Sequence, residues 1–417
     1  MTPTPGRRRV LIVCGYLPYP PTWGAAMRVY QLVRELAASC DVTLLCQRTP
    51  DQEASAGDLE RVCDRVVVVT RSRPAGSARR LEQARSLLSA HPFHAVISVG
   101  PELQAALDEC LARDRFDLVQ LESSVLGLLR LPPGLPVVVD EHNVESEVLL
   151  RASREEHSVW RRAFNGVEAR KAHRLEERTW QAAAGCAVPA PRDATVVQAR
   201  APHTPTAVVP NAVDPDFFHP RTPVWTTGGA GLLFVGLLHY RPNVDAVRHF
   251  VEQVLPEVQR RRPDALLTVV GAGPPSELDW LRRRGVLATG LVPDVREHLD
   301  RASCVVVPVR FGGGTRLKVL EALAMARPLV STTLGAEGID VRHGEHLLLA
   351  DDDDDFAGSV CTVLDDPELG RRLGRAGRAR VVEFYSWRAA GVQLVALHNA
   401  VASAPPASTG QTVEEGA

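Results

Sequence analysis

The residues best placed to do chemistry lie in the stretch PVRFGGGTRLKVLEALAMARPLVST. A strand ends at Val307, Gly312, Gly313 and Gly314 form a turn, and a helix begins near Thr315. Such a turn lets an anion approach backbone N–H groups at the positive end of a helix. Lys318 and Glu321 follow three residues apart, on one helical face. Only two of the 48 basic residues are lysines, Lys171 and Lys318, so the position of Lys318 is informative. Its ammonium suits phosphate, whereas the carboxylate of Glu321 suits a ribose diol. The set fits a nucleoside diphosphate, with the diphosphate at the helix start and the ribose one turn along. Helix-end contacts are worth roughly 0.3–2 kcal/mol each, so several must act together. The plainer alternative is an i,i+3 surface ion pair.

Other polar residues gather where strands end. In VVVDEHNVES these are Asp140, Glu141, His142 and Asn143. Four polar groups there are costly to bury unused. His142 can donate to a sugar hydroxyl or stabilise charge near a reacting carbon; the competing reading makes Asn143, with Ser146, a helix N-cap. In GYLPYPPTWGAAMR, Gly24 opens a helix and offers its amides to a ligand. Arg28, one turn further on, reaches a phosphate or is simply solvated, and the whole segment also reads as a stiff surface loop. It is not GxGxxG, which disfavours a dinucleotide site. In FVGLLHYRPNVDA, Gly236 permits a tight exit, Asn243 is expected to cap the next helix, and Arg241 is a candidate phosphate clamp or a solvated loop residue. Asn211 and Asp214 read as hinge turn residues. The run Asp351–Asp355 superficially suggests a metal site, but five consecutive acids read as a solvated turn before a helix. No metal requirement is expected.

These positions require strands and helices in alternation. Strands are expected at 9–14, 42–46, 66–70, 95–98, 118–121, 137–140, 186–188 and 207–209, with helices at 25–38 and 101–112 and one or two long helices over 144–183. A segment rich in Pro and Gly, 211–230, reads as a linker. The pattern then restarts, with strands at 232–235, 266–270, 286–289, 305–307 and 329–331 and helices at 244–261, 276–284, 295–300 and 318–326. Continuous apolar strands between helices imply parallel sheets covered on both faces. The fold class is therefore α/β, two successive doubly wound units, with ligands expected outside the carboxyl ends of the strands in a cleft between them. Residues 403–417, small and polar, are expected to be disordered.

Composition excludes several classes. The chain has 417 residues, 48 Lys and Arg against 50 Asp and Glu, and a formal charge of −2, which gives no basis for nucleic-acid binding. Its longest apolar run, about Gly231 to Leu238, falls well short of the roughly 20 residues of a membrane span. Eight cysteines without a CxxC pair read as buried thiols in a cytoplasmic protein. The segment 151–178 is locally basic, with Val159, Trp160, Phe164 and Val167 interspersed. It either packs on its own domain or meets an anionic membrane, at the inner face.

In order along the chain, DEHNVES, PNAVDPDFF, FVG, GGGTRLKVLEALAMARPLVST and FYSW resemble the retaining glycosyltransferase family 4. The block GGGTRLKVLEALA with GAEGI is similar to a bacterial branch linked to exopolysaccharide and cell-surface glycans. The resemblance implies the GT-B fold: two Rossmann-like domains, residues 1–210 on the acceptor side and 231–383 on the donor side, with a final helix at about 384–402 crossing back to the first. It implies His142, Lys318 and Arg241 as catalytic residues and Gly24, Gly313, Gly314, Thr315, Arg316 and Glu321 as donor-binding ones. The donor is a nucleoside-diphosphate sugar, with no other cofactor; the acceptor is a glycan, a lipid-linked sugar or a small molecule. Relatives carry a second glutamate eight residues before Glu321, where this chain has Gly313. Either the amides of 313–315 take over sugar recognition, or the donor sugar differs, or activity is reduced. A sugar-nucleotide epimerase on the same fold and a non-catalytic nucleotide-sugar-binding partner are the competing functions.

Overall fold

The computed structural model describes residues 7–52, 56–71, 76, 82–83, 86–156, 158–221, 230–312 and 314–403. Gly313 and the expected tail beyond 403 lie outside them, as does the later part of the 211–230 segment. The chain divides into two compact units. One runs to Val209 and resumes at Gly391; the other is Pro210–Ala390.

The first unit is built on seven parallel strands: β1 (Arg8–Cys14), β2 (Cys40–Arg48), β3 (Arg65–Thr70), β4 (Leu118–Glu122), β5 (Val137–Asp140), β6 (Gly185–Val188) and β7 (Thr206–Val208). Their order is β3-β2-β1-β4-β5-β6-β7. The centre of β1, Val10–Cys14, is wholly buried, as a strand covered on both faces must be. The helix Gly24–Ala37 lies against β2 and buries Val29, Leu32, Val33 and Leu36, its 3.6-residue stripe. The long charged segment folds as two helices, Glu145–Glu155 and Val159–Ala182. The last helix, Trp387–Ser403, sets Leu397 and Val401 against Gly185, where a Cβ would lie 2.7 Å from Val401.

The second unit repeats the plan with six parallel strands: β8 (Gly231–Val235), β9 (Leu266–Val270), β10 (Leu287–Gly290), β11 (Cys304–Val307), β12 (Leu329–Ser331) and β13 (Leu348–Leu349), ordered β10-β9-β8-β11-β12-β13. In both sheets the order reverses direction beside the first strand, between β1 and β4 and between β8 and β11. Ligands of doubly wound sheets bind at the carboxyl ends of strands at such a switch point.

Three local expectations are corrected. Residues 95–98 belong to a helix, Phe93–Ser98, not a strand. Pro92 sets its entry, and the carboxylate of Glu168 accepts the Phe93 N–H at 2.5 Å. The helix expected over 244–261 starts at Arg241, with Pro242 in its first turn, and widens into a π-turn at Phe250–Val254. Pro256 lacks the N–H that a regular turn there would use. The two-residue β13 carries too little pattern to be seen in the sequence. The run Asp351–Asp355 is not wholly a turn before a helix: Asp353, Asp354 and Asp355 form the first turn of Asp353–Asp365, and Asp352 caps it by accepting from the Asp354 N–H.

Candidate functional site

In the second unit, two loops at the switch point meet. One follows β8 and the other follows β11. A Cβ on Gly312, at φ +104°, would lie 3.1 Å from Pro242, so the glycine turn rests against the start of the helix Arg241–His249. Arg241 is the exposed first residue of that helix, and its guanidinium lies 5.6 Å from the Phe311 ring centroid. The helix carrying Lys318 and Glu321 is Leu317–Ala324, two residues later than expected, with Arg316 at its N-cap. Arg316 donates to the Gly314 carbonyl, folding its side chain back over the turn.

Lys318 does not pair with Glu321 among the described residues. Its Nζ donates to Asn243 Oδ1 at 2.8 Å and sits 4.2 Å from the Phe234 ring centroid. Asn243 in turn donates to the Leu237 carbonyl at 2.9 Å, so it braces the lysine instead of capping a helix. Burial away from water pulls the Lys318 pKa down to about 7; Arg316 adds to this and Glu321 opposes it. Burial likewise raises Glu321 to about 7, with Lys318 opposing. The Thr315 hydroxyl oxygen is buried and makes no hydrogen bond among the described residues. The site thus holds two under-compensated ions and an unmet hydroxyl beside a helix start, a demand that an anionic, hydroxylated ligand meets.

Gly236 is the close-approach position. A Cβ there would lie 2.7 Å from Lys318 Nζ and 2.9 Å from Asn243 Nδ2. Gly271, at φ +152°, lets its neighbour strand pass even nearer: its Cβ would fall on the Gly236 carbonyl.

In the first unit, Asp140, Glu141 and His142 at the end of β5 are each held by partners, although Glu141 Oε2 makes no hydrogen bond among the described residues. Asp140 accepts both Nε (3.0 Å) and Nη2 (2.5 Å) of Arg28. Arg28 is buried, not solvated, and also donates to the Val209 carbonyl at 2.7 Å. Glu141 accepts from Trp180 Nε1 (2.7 Å) and the Ser124 N–H (3.1 Å). His142 Nε2 lies 2.9 Å from Glu122 Oε2, and its Nδ1 lies 3.4 Å from the Tyr16 hydroxyl. No side-chain cap starts the following helix at Asn143; its N-cap is Val144, and the Ser146 amide and hydroxyl go to Glu176. Gly24 opens its helix after Trp23, and no side chain caps the first turn.

Behind His142 runs a buried relay that the sequence did not reveal. Gln120 Nε2 donates to Glu122 Oε1 at 2.7 Å. Its amide oxygen therefore accepts from His398 Nε2, 2.8 Å away on the last helix. Burial, and secondarily Arg8, lowers the His398 pKa to about 4, so that ring is neutral and must carry its proton on Nε2. Burial raises the pKa of Glu122, while the hydrogen bond from His142 opposes the rise. Alternation along β4 places Gln120 and Glu122 on one face, but nothing local marks that face as the site.

Glu122, Asp140 and His142 each offer a ligand atom within 4.8 Å of the others. Arg28 already neutralises Asp140, and Glu122 is bonded to His142 and Gln120, so this donor set fits an internal hydrogen-bonded network better than a cation.

The chain matches two family profiles, Glycosyltransferase Family 4 over residues 23–217 and Glycosyl transferases group 1 over 229–366. It belongs to family 4 of the glycosyltransferases. A glycogen synthase of Mycobacterium tuberculosis is 33% identical over 177 residues, which cover 39% of this chain and 40% of that protein. The chain thus spans about two fifths of the length of the first curated relatives it matches. Among solved structures, sucrose-phosphate synthase from Thermosynechococcus elongatus superimposes with a TM-score of 0.68 at 17% identity, covering 95% of this chain and 99% of that one. Anabaena HepE, solved with UDP-glucose, gives 0.63 at 13% identity, covering 94% and 99%. The two-domain α/β fold is GT-B.

Proposed function

We propose that the protein transfers a glycosyl group from a nucleoside-diphosphate sugar to an acceptor hydroxyl, with retention at the anomeric carbon, in glycan assembly. The observation that carries this reading is the half-buried Lys318, held by Asn243 beside the glycine turn and short of a counter-ion. A diphosphate supplies that counter-ion. As the sugar–phosphate bond breaks, charge grows on the leaving diphosphate, and Lys318 with the amides of the helix start stabilises it by fixed electrostatics. Arg316 and Arg241 line the approach, and Glu321 takes the ribose diol. The complex of HepE with UDP-glucose supports a nucleotide-sugar donor here. His142, oriented by Glu122, stabilises charge on the sugar.

No divalent cation takes part: the cationic groups of the proposed site are side chains, and Arg28 already occupies Asp140. Turnover is expected to survive exhaustive chelation. Peripheral contact with an anionic bilayer is part of the proposal, supported by Val159 and Trp160, 73% and 86% exposed, next to Arg161 and Arg162. Protein that stays in solution during low-salt liposome flotation refutes that part. No helix among the described residues is long and apolar enough to cross a membrane, and the free, buried cysteines suit a reducing cytoplasm.

The test is release of nucleoside diphosphate from a panel of nucleotide sugars by wild type and Lys318→Ala. Loss in the variant is expected; equal turnover removes Lys318 from the reaction. The product's anomeric configuration, read by NMR, tests retention.

A further inference from the structure

The relay behind His142 carries direction as well as contact. Gln120, Glu122 and His398 are 0%, 3% and 0% exposed, so their polar atoms must find partners within the protein. The last helix otherwise buries apolar residues on this side, Leu394, Leu397 and Val401 among them. A leucine in place of His398 would leave no imidazole to desolvate. What the imidazole supplies is a donor. Its Nδ1 makes no hydrogen bond among the described residues, so a proton there is stranded, whereas a proton on Nε2 meets the Gln120 side-chain oxygen at 2.8 Å. With its oxygen taken, Gln120 turns its NH2 to Glu122 Oε1, 2.7 Å away. Glu122 then accepts at Oε1 and stays an acceptor at Oε2, which faces His142 Nε2 at 2.9 Å. A reversed Gln120 amide would set oxygen against oxygen at Glu122 Oε1. Glu122 would have to take up a proton there and lose its charge.

We infer that His398 is a positioning residue for glycosyl transfer: through Gln120 it holds Glu122 as a double acceptor, which keeps the His142 proton on Nε2 and leaves Nδ1 as the nitrogen that meets the substrate. Exposure agrees with this. The Glu122 side chain is 1% exposed and that of His142 13%, so the ring opens to solvent away from Glu122. There Nδ1 has the Tyr16 hydroxyl at 3.4 Å, a long contact that a substrate hydroxyl can displace. A bare Nδ1 accepts from such a hydroxyl. A protonated one donates to it, with the Glu122 carboxylate as counter-ion. Either way the contact is made at Nδ1. The other ionisable groups around the pair are engaged or neutral. Asp140 pairs with Arg28, Glu141 accepts from Trp180 and the Ser124 N–H, and burial keeps Cys14 and Tyr16 protonated. Burial, and then Arg8, keeps the His398 ring neutral; Arg8 itself donates to Asn399 Oδ1 at 2.7 Å. The inference rests on the transferase reading for the reaction that Nδ1 serves, though not for the place of the proton.

Long-range proton–nitrogen NMR of the full chain, labelled at histidine and held at a pH where the His142 ring is neutral, reads which nitrogen carries the proton. His142→Gln identifies the signals. The expected wild-type result is a proton on Nε2 in both His142 and His398. A His142 proton on Nδ1 overturns the inference without recourse to any variant. His398→Leu removes the donor and is expected to give a mixture of His142 tautomers. It should also lower kcat for release of UDP from UDP-glucose about tenfold, with KM little changed. In His398→Gln a terminal amide nitrogen takes the place of Nε2, and both the tautomer and kcat should recover. A merely structural histidine behaves otherwise: His398→Leu then lowers the melting temperature and leaves the His142 signal as it was, which overturns the inference. So does a shifted tautomer with unchanged kcat, or a folded His398→Gln that fails to restore the wild-type signal. If His398→Leu does not fold, the wild-type tautomer and its retention in His398→Gln decide. Wild type that releases no UDP defeats UDP-glucose as the donor, and the tautomers still decide where the proton sits.

Discussion

The polar groups around His142 and those around Lys318 are arranged on opposite principles. Around His142 the central groups are paired: Arg28 with Asp140, Glu141 with Trp180, His142 with Glu122, Gln120 with His398, while Glu141 Oε2 and His398 Nδ1 make no hydrogen bond among the described residues. In the second, Lys318 and Glu321 are both displaced to about 7 and the Thr315 hydroxyl goes unmet. A satisfied network fixes geometry; a deficient one stores affinity for what will complete it. The first region is thus built to position and the second to bind.

The sharpest way to break this contrast is to open the closed network. Arg28→Met leaves Asp140 buried without its cation, and removing one partner of a buried pair costs about 3–5 kcal/mol. Urea unfolding should show a loss of that size, with UDP affinity unchanged because the second unit is untouched. A loss under about 1 kcal/mol would mean that the pair behaves like a surface one. Next in size is Lys318→Ala, expected to lower the transfer rate about 10²–10³-fold, as for loss of one preorganised charge-stabilising donor. Its unfolding midpoint should hold or rise, since a desolvated ammonium is removed. Steady-state rates and a melt, read together, distinguish a binding site from a positioning one.

The same contrast explains what was legible beforehand. The glycine turn, Lys318 and Glu321 are contiguous, so one helix start announces them. His142 was visible because it follows a buried strand. Its partners were not: Glu122, Gln120, His398 and Tyr16 come from three other elements, and only the β1-β4-β5 order and the return of the last helix bring them together. Arg28 read as a phosphate contact or a solvated residue because helix periodicity says nothing about which charge lies across the sheet. Asn243 looked like a cap because Asn near a helix start usually is one; its helix begins two residues earlier, at Arg241, and that carries its side chain inward to Leu237 and Lys318. The strands were read correctly except at 95–98, where β-branched residues outweighed the signal of Pro92, and at the two-residue β13, which was missed.

A smaller perturbation acts on geometry alone. Gly236→Ala places a methyl 2.7 Å from Lys318 Nζ. The end of a lysine can move, so the fold should survive with little loss of stability. Nucleoside diphosphate affinity should fall about tenfold, or roughly 1.4 kcal/mol. Unchanged affinity by calorimetry would mean that Lys318 reaches the ligand from another position.

The least severe test changes only pH and reads the second region alone. Lys318 must be charged to meet a diphosphate, and its free-state pKa is about 7. Nucleoside diphosphate affinity therefore falls as pH rises above 7, by at most tenfold per unit, until the raised pKa of the bound state is passed. Glu321 must be ionised to accept a ribose diol, and its free-state pKa is also about 7, so affinity falls again as pH drops below 7. The expected profile is a maximum near pH 7. Glu321→Gln should flatten the acid limb, and Lys318→Met the alkaline one. A flat donor profile across pH 6–8 would show that the two displaced ions are settled by the protein itself, and the distinction between a binding and a positioning region would then collapse.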